Sequence, residues 1–272
     1  MKPSKHQPAI TVVVAVLNAH NTIEHCIKSI VCQTYPHKEL IIMDGGSTDG
    51  SVTIIRNHEN HITYWESRPD RGIYHAWNKA LARASGEWIC FLGADDYFWN
   101  DHVLTDLLPS LRRAASSGIR VVYGRIARMD DSGRLLAQWG KPWEKIRWQM
   151  PHGMPLGLPH TGLMHHCDLF SDHGLFDETF RIAGDYELLL RELKHKRNRA
   201  FFVEDIITVA QRVGGLADSN SLFFHTEVLR ARKKNGINRI SCVWMAIHIR
   251  AFCREKWRLF TARSSAGKQI QR

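Results

Sequence analysis

Gly86-Glu87-Trp88-Ile89-Cys90-Phe91-Leu92-Gly93-Ala94-Asp95-Asp96 is a short apolar run that stops at two adjacent carboxylates. Trp88 to Leu92, bounded by glycines, has the length and composition of a buried core strand. Its tip is the informative part. A buried charge without a partner is costly, so two carboxylates at the end of such a strand call for one. A divalent cation holding a diphosphate is one such partner. In the alternative, Asp95 caps the next helix and Asp96 is solvated.

Working upstream, the same kind of strand recurs. Ile10 to Val16 is a continuous β-branched run, as expected of a strand buried on both faces. The loop Leu17 to Asn21 follows it. Ile23, Cys26, Ile27, Ile30 and Val31 then fall on one helix face, with Asn21 or Thr22 as N-cap and Pro36 past the end. Glu39 to Met43 is a second apolar strand, ending in the stretch Asp44-Gly45-Gly46-Ser47-Thr48-Asp49-Gly50. Strand, helix, strand at this spacing predicts a βαβ unit in a parallel sheet. A short helix over Ser51 to Asn57, a third strand over Ile62 to Glu66 and a helix over Tyr74 to Ala84 complete the approach to the opening stretch. Ligands of such sheets bind beyond the carboxyl ends of the strands. Asn18, Asp44, the Asp70/Arg71 loop and Asp95/Asp96 all fall there. Several charged groups at successive strand ends point to a site. The glycines after Asp44 would let a ligand approach the backbone closely; a plain turn followed by a helix cap is the other reading.

Composition narrows the class. With 272 residues, 44% hydrophobic and 24% charged, the chain can bury a sizeable core. No apolar run is long enough to span a bilayer, and Met1 to Ala9 lacks a signal-peptide core, so a cytoplasmic protein is expected. The six cysteines show no C-x-x-C spacing and fall mostly at apolar positions, as reduced core thiols would; zinc is not expected. The net charge of +10 is uneven. From Val228 to Arg272 there are twelve basic residues and one acid, Glu255, a charge of +11, against −1 for the remainder. That asymmetry argues against a nucleic-acid-binding body and for a tail that meets an anionic surface.

Four blocks, TVVVAVLNAHNTIEHCIKSIVCQTY, ELIIMDGGSTDGS, SRPDRGIYHAWNKAL and GEWICFLGADD, resemble family 2 glycosyltransferases of the GT-A fold. The likeness covers about the first hundred residues. It resumes over PHTGLMHHCDLFSDHGLFDETFRIAGDYELLLRE, which ends at Glu192. Within the family the chain is most similar to small bacterial transferases that build surface polysaccharide. The resemblance implies a Rossmann-like, mostly parallel central sheet with flanking helices. It implies nucleotide-sugar binding by Leu17, Asn18, Asp44, Arg71, Asp95 and Asp96. Asp44 would lie at the nucleotide base, although the family often has two aspartates where this chain has Asp44-Gly45. Arg71 matches a basic residue near the nucleotide. Asp95 would face the ribose and Asp96 would coordinate Mg²⁺ or Mn²⁺. Asp185 matches the catalytic base, and could equally cap the amphipathic helix that follows it. The donor would be a UDP-, GDP- or dTDP-linked sugar, the acceptor a saccharide or a lipid-linked one.

Farther on, Arg120 to Arg128 and Arg134 to Trp139 flank a hairpin turn at Asp130 to Gly133. Lys141 to Pro159 lacks periodicity and reads as an acceptor-side loop, with His160 beside the acceptor. His165 and His166 read as structural. Ala200 to Val203 and Ile206 to Gln211 read as two short strands, and the Gly-Gly loop Val213 to Ser219 as a segment that closes over a diphosphate. His225 is a second candidate metal contact, or a helix-surface histidine. Ser221 to Lys234 and Arg239 to Phe260 read as helices, the second basic and aromatic, suited to lie in a membrane interface or to pack on the body. The expected domains are a catalytic unit over 1–220 and a basic helical extension over 221–272. No Q-x-x-R-W motif follows Asp185, so one sugar per encounter is expected. A nucleotidyltransferase on a similar sheet would carry a Gly-rich basic loop after the first strand, which Leu17 to Asn21 is not. A non-catalytic sugar- or lipid-binding relative would have no need of Asp95, Asp96 and Asp185 together.

Overall fold

The computed structural model describes residues 7–152, 157–195, 197–214 and 221–238, with Met245 and Ile249 beyond them. One nine-stranded sheet organises the described residues. Its first half is parallel: β1 (Ile10–Val16) lies between β2 (Lys38–Asp44) and β4 (Trp88–Gly93), and β3 (Tyr64–Ser67) flanks β2. Beyond β4 come β8 (Met164–His166), β6 (Val121–Met129), β9 (Ala200–Arg212) and β5 (Tyr97–Phe98), with β7 (Leu135–Trp139) on β6. Six of the nine strands run the same way. The mixed α/β fold expected from the sequence is the observed one.

Why the first strands read as unbroken apolar runs is visible in their packing. Val13 and Phe91 join a buried cluster on one face of the sheet; Val12, Val14, Cys90 and Leu92 join a second cluster on the other. Successive side chains alternate faces, so a strand covered on both sides has no polar position to spare. Helices α1 (Ile23–Val31), α2 (Ser51–Asn57) and α4 (Val103–Ser116) supply the second cluster. Helices α3 (Ile73–Leu81), α6 (Cys167–His173), α7 (Gly184–Leu193) and α8 (Ser221–Lys234) supply the first. The short helix α5 (Trp143–Ile146) joins them through Trp143 and Ile146.

Register decides where the site lies. Val16 pairs with Asp44, Asp44 with Ser67 and Ala15 with Gly93. The four parallel strands therefore end level, and their following loops sit side by side along one edge.

Three readings need correction. Ala200 to Arg212 is one strand, not two, because a shift of register along β6 at Tyr123 to Ile126 absorbs the exposed Glu204 and Asp205. Gly124 permits this: a Cβ there would lie 2.6 Å from the Ile206 carbonyl oxygen. The region after Lys141 is not all loop, since Trp143 and Ile146 are buried on α5. Helix α8 is not part of a separate extension. It packs against α7, and its Val228 and Ala231 belong to the same buried cluster as Val13 and Phe91. The stretch Arg239 to Phe260, apart from Met245 and Ile249, and residues 215–220 of the Gly-Gly loop lie outside the described residues. Among the described residues no helix is long and apolar enough to cross a membrane.

Candidate active site

The level strand ends form a laced floor. Gly45 N–H donates to the Val16 carbonyl at 2.8 Å and Arg68 N–H to the Asp44 carbonyl at 3.0 Å. Asn18 takes a left-handed backbone, φ 51°, which asparagine tolerates better than most residues. In that pose its N–H donates to Ser47 Oγ at 2.8 Å, and its Oδ1 accepts from Thr48 N–H at 3.0 Å. Leu17 beside it is 62% exposed, an apolar surface open to the edge.

Asp44 does not enter the crevice as expected. It is fully buried. Its Oδ2 accepts from the N–H groups of Gly46 and Ser47 and from Ser67 Oγ, and its Oδ1 from Ser47 Oγ at 2.5 Å. The carboxylate is spent on its own loop and on β3. Arg71 is 70% exposed and pairs with Glu178 at 2.5 Å, tying the loop after β3 to the segment before α7.

Asp95 and Asp96 stand together at the tip of β4. A Cβ added to Gly93 would lie 2.7 Å from Asp95 Oδ1 and 3.1 Å from Asp96 Oδ2, so both carboxylates lean over one bare Cα. Asp96 is 5% exposed, and Thr161 Oγ1 donates to its Oδ2 at 2.7 Å. Burial, and then the neighbouring Asp95, push its carboxyl up to about 7. Two hard oxygen donors that repel each other beside an open cradle are a donor set that fits Mg²⁺ or Mn²⁺, for which one or two protein carboxylates suffice.

Asp185 opens helix α7. Its Oδ1 accepts from Tyr186 N–H at 2.8 Å and from the Tyr74 hydroxyl at 3.2 Å. Its Oδ2 is 3.9 Å from His160 Nδ1, too far for a hydrogen bond. Burial pushes Asp185 up to about 6. Burial also pushes His160 down to about 3, so that ring is neutral at pH 7, stacked on Trp77 at 5.1 Å between centroids. His160 and Thr161 are consecutive, about 3.8 Å apart at Cα. His160 lies beside Asp185 and Thr161 holds Asp96, so two consecutive residues link the two acidic centres.

The family model described as Glycosyl transferase family 2 matches residues 11–174. The chain belongs to glycosyl transferase family 2. A Mycobacterium bovis (strain BCG) protein, named PGL/p-HBAD biosynthesis glycosyltransferase, is 24% identical over 217 residues, covering 78% of this chain and 80% of the relative. TuaG of Bacillus subtilis, named as a glycosyltransferase of teichuronic acid biosynthesis, is 33% identical over 145 residues, 52% of each chain. Among solved structures, the mannosyltransferase PcManGT from Pyrobaculum calidifontis, in complex with GDP-Man and Mn²⁺, superposes with a TM-score of 0.63. It is 18% identical, over 91% of this chain and 69% of that one, a likeness of fold.

Several residues around this family 2 centre have no signal in the sequence. Tyr74 reads there as one more helix residue. It reaches Asp185 only because Gly184 has no side chain; a Cβ there would press into the Tyr74 ring at 2.8–2.9 Å. Thr161 sits in a loop with no periodicity. Glu227, on α8, is 3% exposed and accepts four hydrogen bonds of 2.8–3.1 Å from the N–H groups of Arg181, Ile182 and Ala183. Helix α8 thus satisfies the backbone donors just ahead of Asp185. Removing that carboxylate orphans three backbone donors, the Ala183 N–H among them buried. Glu227→Ala is expected to destabilise the fold by about 3–5 kcal/mol in denaturant unfolding.

His225 is buried on α8, next to Phe224 and two residues before Glu227. His165 is fully buried. His166, Cys167 and Asp168 bring three ligand-type atoms within 4.8 Å of one another, as the start of α6 requires: His166 Nδ1 accepts from Asp168 N–H at 3.3 Å.

Proposed function

We propose that the chain is an inverting, metal-dependent transferase that moves a sugar from a nucleoside-diphosphate sugar to an acceptor hydroxyl. The observation carrying this reading is the pair His160 and Thr161, whose adjacent side chains border Asp185 on one side and Asp96 on the other. A displacement needs a diphosphate side and a base side, with one sugar between them.

In the step, the acceptor O–H gives its proton to Asp185 as its oxygen bonds to the anomeric carbon. The bond from that carbon to the diphosphate oxygen breaks, and the electron pair leaves with the nucleoside diphosphate. A single displacement inverts the anomeric centre and needs no carboxylate nucleophile. Asp96, with Asp95 beside it, would hold Mg²⁺ or Mn²⁺, and the ion would supply countercharge for the leaving diphosphate. A carboxyl titrating near 6 is ionised at pH 7 and still a competent proton acceptor, and Tyr74 fixes its orientation. Asn18 locks the floor, exposed Leu17 offers an apolar face to a base, and Arg71 lies at the rim. His160, neutral and stacked, lines the acceptor side. PcManGT binds a nucleotide-sugar with Mn²⁺, in keeping with this reading.

The names of the relatives favour surface polysaccharide or glycolipid as the product, assembled at the cytoplasmic face of the membrane. The +11 charge after Val228 suits anionic lipid, at about 1 kcal/mol per basic residue near the surface. A thermal-shift panel of UDP, GDP and dTDP tests the donor class. One of them is expected to raise Tm with Mn²⁺ present and to do little in EDTA. No shift with any of them would end the reading.

A further inference from the structure

Three carboxylates occupy the floor at the ends of β1 to β3, and two of them are already used. Asp44 accepts four hydrogen bonds from its own loop and β3. Asp49 accepts from Ser51 N–H and Oγ through Oδ1, and from His20 N–H through Oδ2. Asp70 differs. Its Oδ1 accepts from Gly72 N–H at 2.9 Å, while its Oδ2 has no hydrogen-bond donor among the described residues. That oxygen lies over Gly45, 2.7 Å from where a Cβ would stand. The absence of a side chain at Gly45 therefore lets a carboxylate from the next loop cover the end of β2. The loop is held there from both sides: Pro69 lies against Gly46, and Arg71 is paired with Glu178. Leu17 is on the adjoining strand end, joined through the bond from Gly45 N–H to Val16.

We propose that Asp70, rather than Asp44, is the carboxylate that reads the nucleobase of the donor. The proposal rests on the nucleotide-sugar reading and sharpens it. A carboxylate only accepts hydrogen bonds. Uracil and thymine present one ring N–H at their pairing edge, and guanine presents a ring N–H with an amino N–H beside it. Cytosine and adenine present a ring nitrogen lone pair at that position, which a carboxylate repels. Asp70 thus selects a donor built on uracil, thymine or guanine.

Asp70→Asn gives a readout that a purely structural role does not. Gly72 N–H keeps the amide oxygen on its side, so the amide N–H₂ faces outward and offers a donor where the carboxylate offered an acceptor. Calorimetric titrations of the full chain with UDP, dTDP, GDP, CDP and ADP, each with Mn²⁺, measure the effect. The wild type is expected to prefer one of the first three. In Asp70→Asn the affinity for that nucleotide falls about 10- to 100-fold, and its preference over CDP falls at least tenfold. Gly45→Ala displaces the carboxylate and lowers the same affinity several-fold, with no further loss in an Asp70→Ala background. A wild-type preference for CDP or ADP overturns the proposal, as does an unchanged preference ratio in Asp70→Asn. If the wild type binds none of the five, the donor reading itself falls and takes this inference with it.

Discussion

Asp185→Asn is expected to lower the transfer rate by about 10²- to 10⁴-fold, the contribution of a general base, while nucleotide affinity with Mn²⁺ stays within about twofold. The amide is isosteric. Its oxygen can keep accepting from Tyr186 N–H and Tyr74, so the start of α7 is preserved. What the proposed mechanism loses is the group that takes the acceptor's proton. A second effect has the opposite sign for stability. Burial raises the Asp185 carboxyl from 3.8 to about 6 in the folded chain. A raised carboxyl favours folding while protonated, and this advantage is lost as pH climbs from 3.8 through about 6. Above that, the buried charge costs up to about 3 kcal/mol. The Asn variant is therefore expected to have a higher Tm than wild type at pH 7.5 and no advantage at pH 4. The wild-type rate should drop with an acidic limb near 6. Normal turnover by the variant would remove Asp185 from the mechanism.

Asp96→Ala is expected to abolish the Mn²⁺-dependent part of nucleotide binding, raising Kd at least about 100-fold toward the value in EDTA. Changes around a bound metal already cost 10- to 100-fold in affinity, and loss of a direct ligand exceeds that. The substitution also frees Thr161, which donates to Asp96 Oδ2. Thr161→Val separates the two effects. It removes the donor, leaves the carboxylate, and should weaken binding only a few-fold. Equal Mn²⁺ dependence in Asp96→Ala and wild type would place the cation elsewhere.

Local patterns made the sheet legible. The runs at Ile10, Glu39 and Trp88 read as buried strands, because they are short, apolar and free of polar alternation. Equal spacing around a helix made the first pair parallel. Asp95 and Asp96 stood out because acids at the tip of an apolar run are costly unless something pairs with them, whereas Asp185 stood out only by its match to the family's base block. Val103 to Ser116 and the two-residue β5 fell outside that reading. The strand Ala200–Arg212 read as two pieces, since a bulge on one strand depends on the geometry of its neighbour.

The sequence by itself thus determined which segments are buried and which strand ends carry acid, because burial and charge are properties of the residues and their order. Only the tertiary structure decided which acids are free. Asp44 and Asp70 look alike as letters at the ends of adjacent strands, but hydrogen bonds from Gly46, Ser47 and Ser67 consume the first, while one oxygen of the second lies over Gly45 with no donor among the described residues. Glu227 acts ahead of Asp185 from 42 residues away, and Thr161 meets Asp96 across 65. Such pairings come from the folded arrangement of helices on the sheet, which fixes neighbours that chain separation does not encode.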